Sequence, residues 1–266
     1  MPKRILSPGI LLAMALCAVV AAHAEPTLLE TGYRQMYNLQ FNQAHQTFVE
    51  WERQHPADPL GPASDAAAYL FTEFDRLHIL QSEFFTQDQH FVTDHKLRPD
   101  PELKKNFETA LDHASALAAE LPADANAQFA AVLCHGLRSD YLALIEKQYV
   151  SSFKEMKTAR SLAEQLLKAH PEYYDAWIAV GVENYMLSIK PAPIRWLLRL
   201  GGGETDRQTG LAKLQVTAKK GHYLLPFARL LLAVAALRDH HTDQARDILS
   251  DLAREFPHNP LYTQEL

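Results

Sequence analysis

The chain has 266 residues, of which 47% are hydrophobic, and carries 26 Lys and Arg against 32 Asp and Glu, a formal net charge of −6. This length and apolar content are sufficient for a substantial hydrophobic core. The acidic balance and the lack of any basic tract argue against a nucleic-acid partner, because such binding needs clustered Lys and Arg to displace counterions from phosphates.

The N-terminus has the pattern of a secretory leader. Lys3 and Arg4 are followed by an apolar run from Gly9 to Ala22, and Ala22-His23-Ala24 is a small-x-small cleavage pattern. The run is shorter than the roughly 17 residues that a membrane-spanning helix needs. We therefore expect residues 1–24 to be a signal peptide that is cleaved after Ala24 and exports the chain to the periplasm. No transmembrane segment is predicted in the mature chain.

Helical periodicity runs through nearly the whole chain after residue 26, and the alternation of a half-buried strand is hard to find. A long polar segment, 85–100, is predicted to be a loop between N-terminal helices in 25–84 and a main helical array in 101–266. The predicted helices are 26–38, 41–55, 62–84, 101–121, 125–146, 149–169, 174–189, 192–200, 206–220, 224–239 and 242–256.

Four of these helices end in a common pattern, in which Ala is followed by two apolar residues at steps of four and three and then by Pro. Steps of four and three place side chains on one stripe of a helix, and Pro ends the helix because it neither donates nor fits inside it. We predict that each copy is the second helix of a helical-hairpin repeat. The copies are Ala44/Phe48/Trp51/Pro56, Ala110/Ala114/Leu117/Pro122, Ala159/Ala163/Leu166/Pro171 and Ala245/Leu249/Leu252/Pro257.

A fuller motif follows the turn at Pro171, where Asp175-Ala176-Trp177 precedes Val180 and Gly181, and a weaker copy begins at Leu28 with Gly32 in register. The combination resembles the tetratricopeptide repeat family, whose unit of about 34 residues has Trp, Gly, Ala and Pro at such offsets. The resemblance implies an all-α, irregular solenoid of antiparallel helix pairs. It also implies a non-catalytic scaffold for protein–protein interaction, here in the cell envelope.

The resemblance further implies which residues line the concave groove, since the first helix of each repeat faces it. These positions are apolar here, whereas family members that grip a peptide carboxylate have Lys, Arg and Asn there. The groove is therefore filled either by helices of the chain itself, such as 192–200, or by an apolar segment of a partner. The positions are Ile178, Val182, Tyr185 and Met186 in one copy, Leu230, Val234 and Leu237 in another, and Phe129, Leu133 and Leu137 in a third.

The segment 190–203 is the least expected in a plain repeat, because two prolines precede a short predicted helix and three glycines follow it. Arg195 and Arg199 lie one turn apart beside Trp196. This helix is predicted to dock on a partner or to contact a membrane surface peripherally. The alternative is that Trp196 caps the repeat core. Arg195, Trp196 and Arg199, with Tyr185 and Met186, are our predicted binding residues for another envelope protein or peptide.

No catalytic residue, cofactor or metal site is predicted. Gly201-Gly-Gly203 lacks the Gly-Lys-Ser/Thr ending and the preceding strand of a phosphate-binding loop. Four polar residues in the long loop have the spacing of no familiar zinc motif; they are Asp88, His90, Asp94 and His95. Cys134, which lies in an apolar stretch, is interpreted as a small buried hydrophobe rather than a reactive thiol.

A second interpretation of the function remains open. In it, the helices enclose an apolar pocket that binds a small molecule or a lipid, with or without catalysis. Arg138, Asp140 and Glu183 lie on helices that we expect to be neighbours, and they are the residues predicted to edge such a pocket. A buried ion-pair network between repeats is the alternative explanation for the same three side chains.

Overall fold

The computed structural model describes residues 25–80, 97–188 and 206–264. These residues form eleven α-helices and no strand, so the predicted all-α class is confirmed. A π-helical turn, Tyr141–Ile145, continues the fifth helix, and a 3₁₀ turn, Tyr174–Ala176, precedes the seventh. The helices are α1 (Leu28–Tyr37), α2 (Phe41–Gln54), α3 (Leu60–Arg76), α4 (Pro101–Glu120), α5 (Ala125–Asp140), α6 (Tyr149–Ala169), α7 (Trp177–Ser188), α8 (Arg207–Lys220), α9 (Leu225–Arg238), α10 (Thr242–Glu255) and α11 (Leu261–Gln264).

The first ten helices pack as five consecutive pairs, and each pair packs against the next. The pairs are α1 with α2, α3 with α4, α5 with α6, α7 with α8 and α9 with α10. This arrangement is the solenoid-like array of antiparallel helix pairs that the sequence predicted. One contiguous core extends from Leu29 to Tyr262, and α3 packs along α4 across the predicted boundary at 85–100.

The proline pattern marks the second helix of four of the five pairs, as predicted. Most stripe residues are buried; Ala44, Ala114, Ala163 and Ala245 have no exposed surface, whereas Trp51 and Leu117 are half-buried. The helices α2, α4, α6 and α10 end two residues before their prolines, and the intervening residue has the same conformation each time, with φ between −132 and −124° and ψ between 54 and 75°. A residue that precedes Pro is displaced from helical geometry, so the shared cap follows from the shared Pro.

The turn that follows the first helix of a pair is of a different kind. Leu39 after α1 and His240 after α9 have positive φ values of 58 and 60°. The next residue then donates its N–H five residues back, Gln40 to Gln35 O and His241 to Ala236 O, both at 2.9 Å. This hydrogen bond closes the helix in a Schellman-type motif. His240 and His241 thus form the turn between the paired helices α9 and α10.

Glycine allows two helices to approach closely in two of the pairs. A Cβ added to Gly181 on α7 would lie 2.9 Å from Leu214 Cγ on α8, and one added to Gly210 on α8 would lie 2.7 Å from the backbone nitrogen of Tyr185. In the first pair, a Cβ on Gly32 would lie 2.3 Å from the ring of Phe48. A side chain at Gly181 or Gly32 would therefore force the paired helices apart.

The two ends of the array meet, which the sequence did not predict. The rings of Tyr33 on α1 and Tyr223 before α9 stack with centroids 5.1 Å apart, and the Tyr37 hydroxyl donates to Tyr223 O at 3.0 Å. On the other side of α1, Asn259 Nδ2 donates to Tyr37 O at 2.9 Å. Because these contacts join α1 to the C-terminal helices, the array closes around its interior.

A buried carboxylate holds the segment on which this closure depends. Asp175, in the 3₁₀ turn before α7, accepts hydrogen bonds from the backbone N–H groups of His222, Tyr223 and Leu224 at 2.8, 3.2 and 2.9 Å. These donors belong to the connection between α8 and α9. Asp175 therefore fixes Tyr223 in the position from which it stacks on Tyr33.

Two predicted boundaries differ from the structure, and several predictions lie outside the described residues. The predicted helix 62–84 begins at Leu60 and ends at Arg76, because His78 takes a positive φ of 58° and closes the helix. The short helix α11 was not predicted. The predicted signal peptide 1–24, most of the predicted loop 85–100 with its Asp and His residues, and the predicted helix 192–200 with Arg195, Trp196 and Arg199 lie outside the described residues. No helix among those described is long and apolar enough to cross a membrane.

Replacing Gly181 by Ala should destabilise the protein by about 1–3 kcal/mol, because the new methyl group overlaps Leu214 and a packed helix pair does not yield freely. Gly136 is the matched control, since it also lies within a helix but a Cβ there would meet nothing within 4 Å. Gly136→Ala should instead stabilise by about 0.5–1 kcal/mol through helix propensity. Urea unfolding of the two variants measures both changes; equal effects would contradict the close approach of α7 and α8.

Candidate functional site: a central apolar cavity

The closed array surrounds a cavity of about 280 Å³. Two smaller spaces, of about 90 and 40 Å³, share lining residues with it. Phe71 on α3 and Phe227 on α9 contribute to all three spaces, and their rings meet edge to face with centroids 5.5 Å apart. These two rings divide a single interior region into connected parts.

The lining comes mainly from the first helix of each pair and is almost entirely apolar. Such cavities do not hold ordered water well, because a buried water needs two to four polar partners. The space is therefore suited to an apolar molecule. The large apolar residues of the main cavity are Phe71, Phe74, Leu80, Leu144, Phe153, Met156, Val182, Met186, Leu187, Leu214, Phe227, Leu230, Leu231 and Val234.

The groove positions implied by the family resemblance do face this interior. Val182, Tyr185 and Met186 on α7 and Leu230 and Val234 on α9 line the main cavity. The remaining predicted positions line the smaller spaces, namely Ile178, Leu133 and Leu137 in one and Leu237 in the other, apart from Phe129, which is buried in the core. The groove is thus a cavity within the array that reaches the surface near Tyr149, which is 47% exposed.

Asp140 is the acidic residue of the lining, at the junction between α5 and the π-helical turn. Burial raises the pKa of its carboxyl to about 7, since removal from water disfavours the charged form. In the described part of the chain, no side chain donates a hydrogen bond to this carboxyl and no cation pairs with it. π-Helical turns within α-helices are frequent at functional sites, and this one sets the direction of the chain just after Asp140.

Arg138 and Glu183 were predicted to edge the same pocket as Asp140, and this prediction is wrong. Arg138 pairs with Asp112 on the outside of α4, with Nη2 and Oδ1 3.2 Å apart. Glu183 is fully buried, and its Oε1 lies 3.6 Å from Nη1 of Arg160 on α6. The alternative explanation, an ion pair between repeats, therefore holds for Glu183.

Several other polar groups of the cavity have partners within the chain. Ser139 Oγ lies 3.0 Å from Ser152 Oγ and donates to Ser152 O at 3.1 Å, which joins α5 to α6. At another part of the wall, the guanidinium carbon of Arg207 lies 5.6 Å from the centroid of the Tyr185 ring. Arg238 on α9 also lines the cavity and interacts with other groups of the chain. The Tyr185 hydroxyl is buried without a hydrogen-bond partner, and Asp140 is the carboxylate of the wall that has neither a donor nor a cation beside it in the described residues.

Sequence reasoning missed the contribution of α3 and α6 to the cavity. Ala67, Phe71 and Phe74 have the spacing of a helical stripe on α3, so the signal was present, but no groove positions were assigned there. Met156 and Phe153 on α6 gave no signal, because α6 is the second helix of its pair and the family resemblance places such helices outside. They reach the interior near the start of α6, where α5 is extended by the π-helical turn.

The structure also bears on the cysteine and metal predictions. Cys134 is buried, and burial raises the pKa of its thiol to about 11, as expected for a small core hydrophobe. In the described ranges no three His, Cys, Asp or Glu side chains are grouped as metal ligands would be. His45 and Asp65 form a close pair, with Nδ1 and Oδ1 2.5 Å apart, that joins α2 to α3 away from the cavity.

Comparison with known proteins identified no relative. No protein-family model, no curated protein and no solved structure matches the chain. The tetratricopeptide resemblance therefore remains a prediction from the motif residues. Arguments about function depend on the cavity and its residues.

The buried carboxyl at Asp140 predicts a specific pH dependence of stability. Its pKa is raised in the folded state to about 7, so the folded protein favours the protonated form, and stability is lost as pH rises from about 4 to 7. Asp140→Asn removes this loss and should stabilise the protein by about 2–3 kcal/mol more at pH 8 than at pH 5, at about 1.4 kcal/mol per pKa unit.

Urea unfolding at both pH values measures this difference. Asp112→Asn is the matched control, because the Asp112 side chain is 77% exposed and lies outside the cavity. The control should show little difference between the two pH values. A pH profile that is the same for the Asp140 variant and the parent would contradict the burial of this carboxyl.

Proposed function

We propose that this protein binds an apolar or amphipathic small molecule in its central cavity. The observation that carries the proposal is the largely apolar cavity of about 280 Å³ with the carboxyl of Asp140 in its wall. Ligand sites are typically concave, largely apolar and provided with a few polar groups that fix orientation. The cavity has each of these properties.

The size of the cavity sets the size of the ligand. An engineered cavity of about 150 Å³ holds benzene, and drug-sized ligands occupy pockets of about 300–1,000 Å³. A space of about 280 Å³ thus suits a molecule of roughly 10–20 non-hydrogen atoms, on the scale of those cavities. A folded helix of a partner protein is too large for it.

The positions of Tyr185 and Met186 also favour a small ligand over a protein partner. Both residues were predicted to bind a partner, and both line the cavity rather than the outer surface. A protein partner reaches them only by inserting a side chain or a chain end into the interior. Because residues 1–24 are predicted to be a signal peptide, we further propose that binding takes place in the periplasm.

Filling the cavity should abolish binding. We expect Val182→Phe to weaken the binding of N-phenyl-1-naphthylamine, a neutral apolar fluorophore, at least tenfold, because the added ring occupies the space that the probe needs. Val49→Phe is the matched control, since Val49 on α2 is 55% exposed and far from the lining. Fluorescence titration measures both affinities; equal binding to the two variants and the parent would contradict a site in the cavity.

A scaffold role is a second proposal, and one surface feature supports it. Tyr149 and Val150, at the start of α6, are 47% and 73% exposed, and Tyr149 also lines the cavity. Two adjacent exposed apolar side chains at this position offer an anchor for another envelope protein or peptide. The other residues predicted for that role, Arg195, Trp196 and Arg199, lie outside the described residues.

The two proposals are separated by a surface substitution. Val150→Lys should reduce recovery of a partner by cross-linking on whole cells at least fivefold, because a charge in an apolar contact is costly to desolvate. The same variant should bind the naphthylamine probe as the parent does. Unchanged cross-linking in Val150→Lys, with full binding of the probe, would leave the cavity as the supported site and remove this surface from consideration.

A further inference from the structure

The polar groups of the cavity wall define the chemistry of the ligand, provided that the cavity binds one as proposed above. The hydroxyls of Ser139 and Ser152 hydrogen-bond within the pair. Arg138, two residues from Asp140, pairs with Asp112 outside the cavity. Residues two apart on a helix point in nearly opposite directions, so Arg138 cannot turn to neutralise Asp140.

The charges on the opposite wall lie near Tyr185 rather than near Asp140. The guanidinium groups of Arg207 and Arg238 act electrostatically on the hydroxyl of Tyr185 and lower its pKa, against a larger increase from burial. The pKa of Asp140 responds to burial, with no contribution from a charged neighbour in the described residues. The cavity therefore has a cationic side, next to Tyr185, and a separate anionic point at Asp140.

A carboxylate that is desolvated and unpaired is a strong recognition group for a cation. Hydrogen bonds to charged groups contribute about 1.5–3 kcal/mol, which corresponds to roughly tenfold to hundredfold in affinity. The ligand that benefits has an apolar body, which the remaining wall accepts, and a positively charged donor at one end. The Arg238 side of the cavity disfavours a second positive charge on the same ligand.

We infer that the ligand is a monocationic amphipathic amine whose ammonium group pairs with the carboxylate of Asp140 while its apolar body lies against Phe71 and Phe227. The inference rests on the proposed binding function and narrows it to one class of ligand. Near pH 8 the carboxyl is charged, because its pKa of about 7 lies below that value, and an alkylamine is protonated there as well.

Three naphthalene probes of equal size test this inference on the full chain near pH 8. They are 1-naphthylmethylamine, which is cationic, 1-naphthylmethanol, which is neutral, and 1-naphthoate, which is anionic. Isothermal titration should give an affinity for the amine at least tenfold higher than for the alcohol, with the carboxylate weakest. In Asp140→Asn the amine and the alcohol should differ by no more than about twofold, because only the charge pairing has been removed.

Asp112→Asn is the control, because it removes an exposed carboxylate of the same kind and should keep the amine preference. Binding of the alcohol without any preference for the amine would overturn the inference but leave the cavity site intact. Preference for the carboxylate would overturn it in favour of recognition by Arg238. Binding of none of the probes would overturn the proposed function as well. If Asp140→Asn does not fold, the ranking of the three probes on the parent protein still decides.

Discussion

The stacking of Tyr33 on Tyr223 joins the first helix of the array to the last pair, and the interior depends on it. In an open solenoid each repeat contacts its neighbours alone, and the first helices form an exposed concave surface. Here such a surface would consist largely of Phe, Leu, Met and Val side chains. An exposed apolar area of this kind is uncommon on soluble proteins. Closure of the array removes it from water without a partner.

Closure also explains why the centre is not filled. The first helices must curve around an axis while each stays in contact with its own second helix, so their inner side chains converge without meeting completely. An unfilled space of about 280 Å³ forfeits on the order of 7 kcal/mol of packing, at about 24 cal/mol per Å³. A ligand that fills the space regains part of this free energy. Binding and stability are therefore coupled through the same volume.

The sequence predicted the parts of the fold that depend on local patterns. Ala44, Phe48 and Pro56 lie within one helix and the turn that follows it, so this pattern can be recognised without knowledge of tertiary contacts. The second helices were assigned correctly for this reason. Val182 and Leu230 were placed in the groove because the family resemblance supplies the phase of each first helix. The contact between Tyr33 and Tyr223 had no such signal, since it joins distant parts of the chain and depends on the accumulated curvature of every pair between them.

The error about Arg138 and Glu183, which were predicted to edge the pocket together with Asp140, has a physical origin. Arg138 and Asp140 lie two residues apart on one helix and so face away from each other. Only one of them could enter a pocket, and the apolar residues on either side did not decide which. Glu183 needed the position of Arg160 on the preceding helix, which is a tertiary contact. The spacing of two residues along a helix determines the angle between their side chains. Which side of the helix is buried depends on the elements that pack against it.

Three carboxylates of the array differ in a way that bears on function, since Asp175 and Glu183 are buried in the core whereas Asp140 is half-buried and faces the cavity. Asp175 accepts three backbone N–H groups and holds the connection on which closure depends, and Glu183 pairs with Arg160. A structural role therefore explains each of these two carboxylates. Asp140 has no such partner, and burial without one is unfavourable enough that a neutral side chain would be more stable there. A destabilising charge held at the wall of an apolar cavity is the expected arrangement where the missing partner is the ligand.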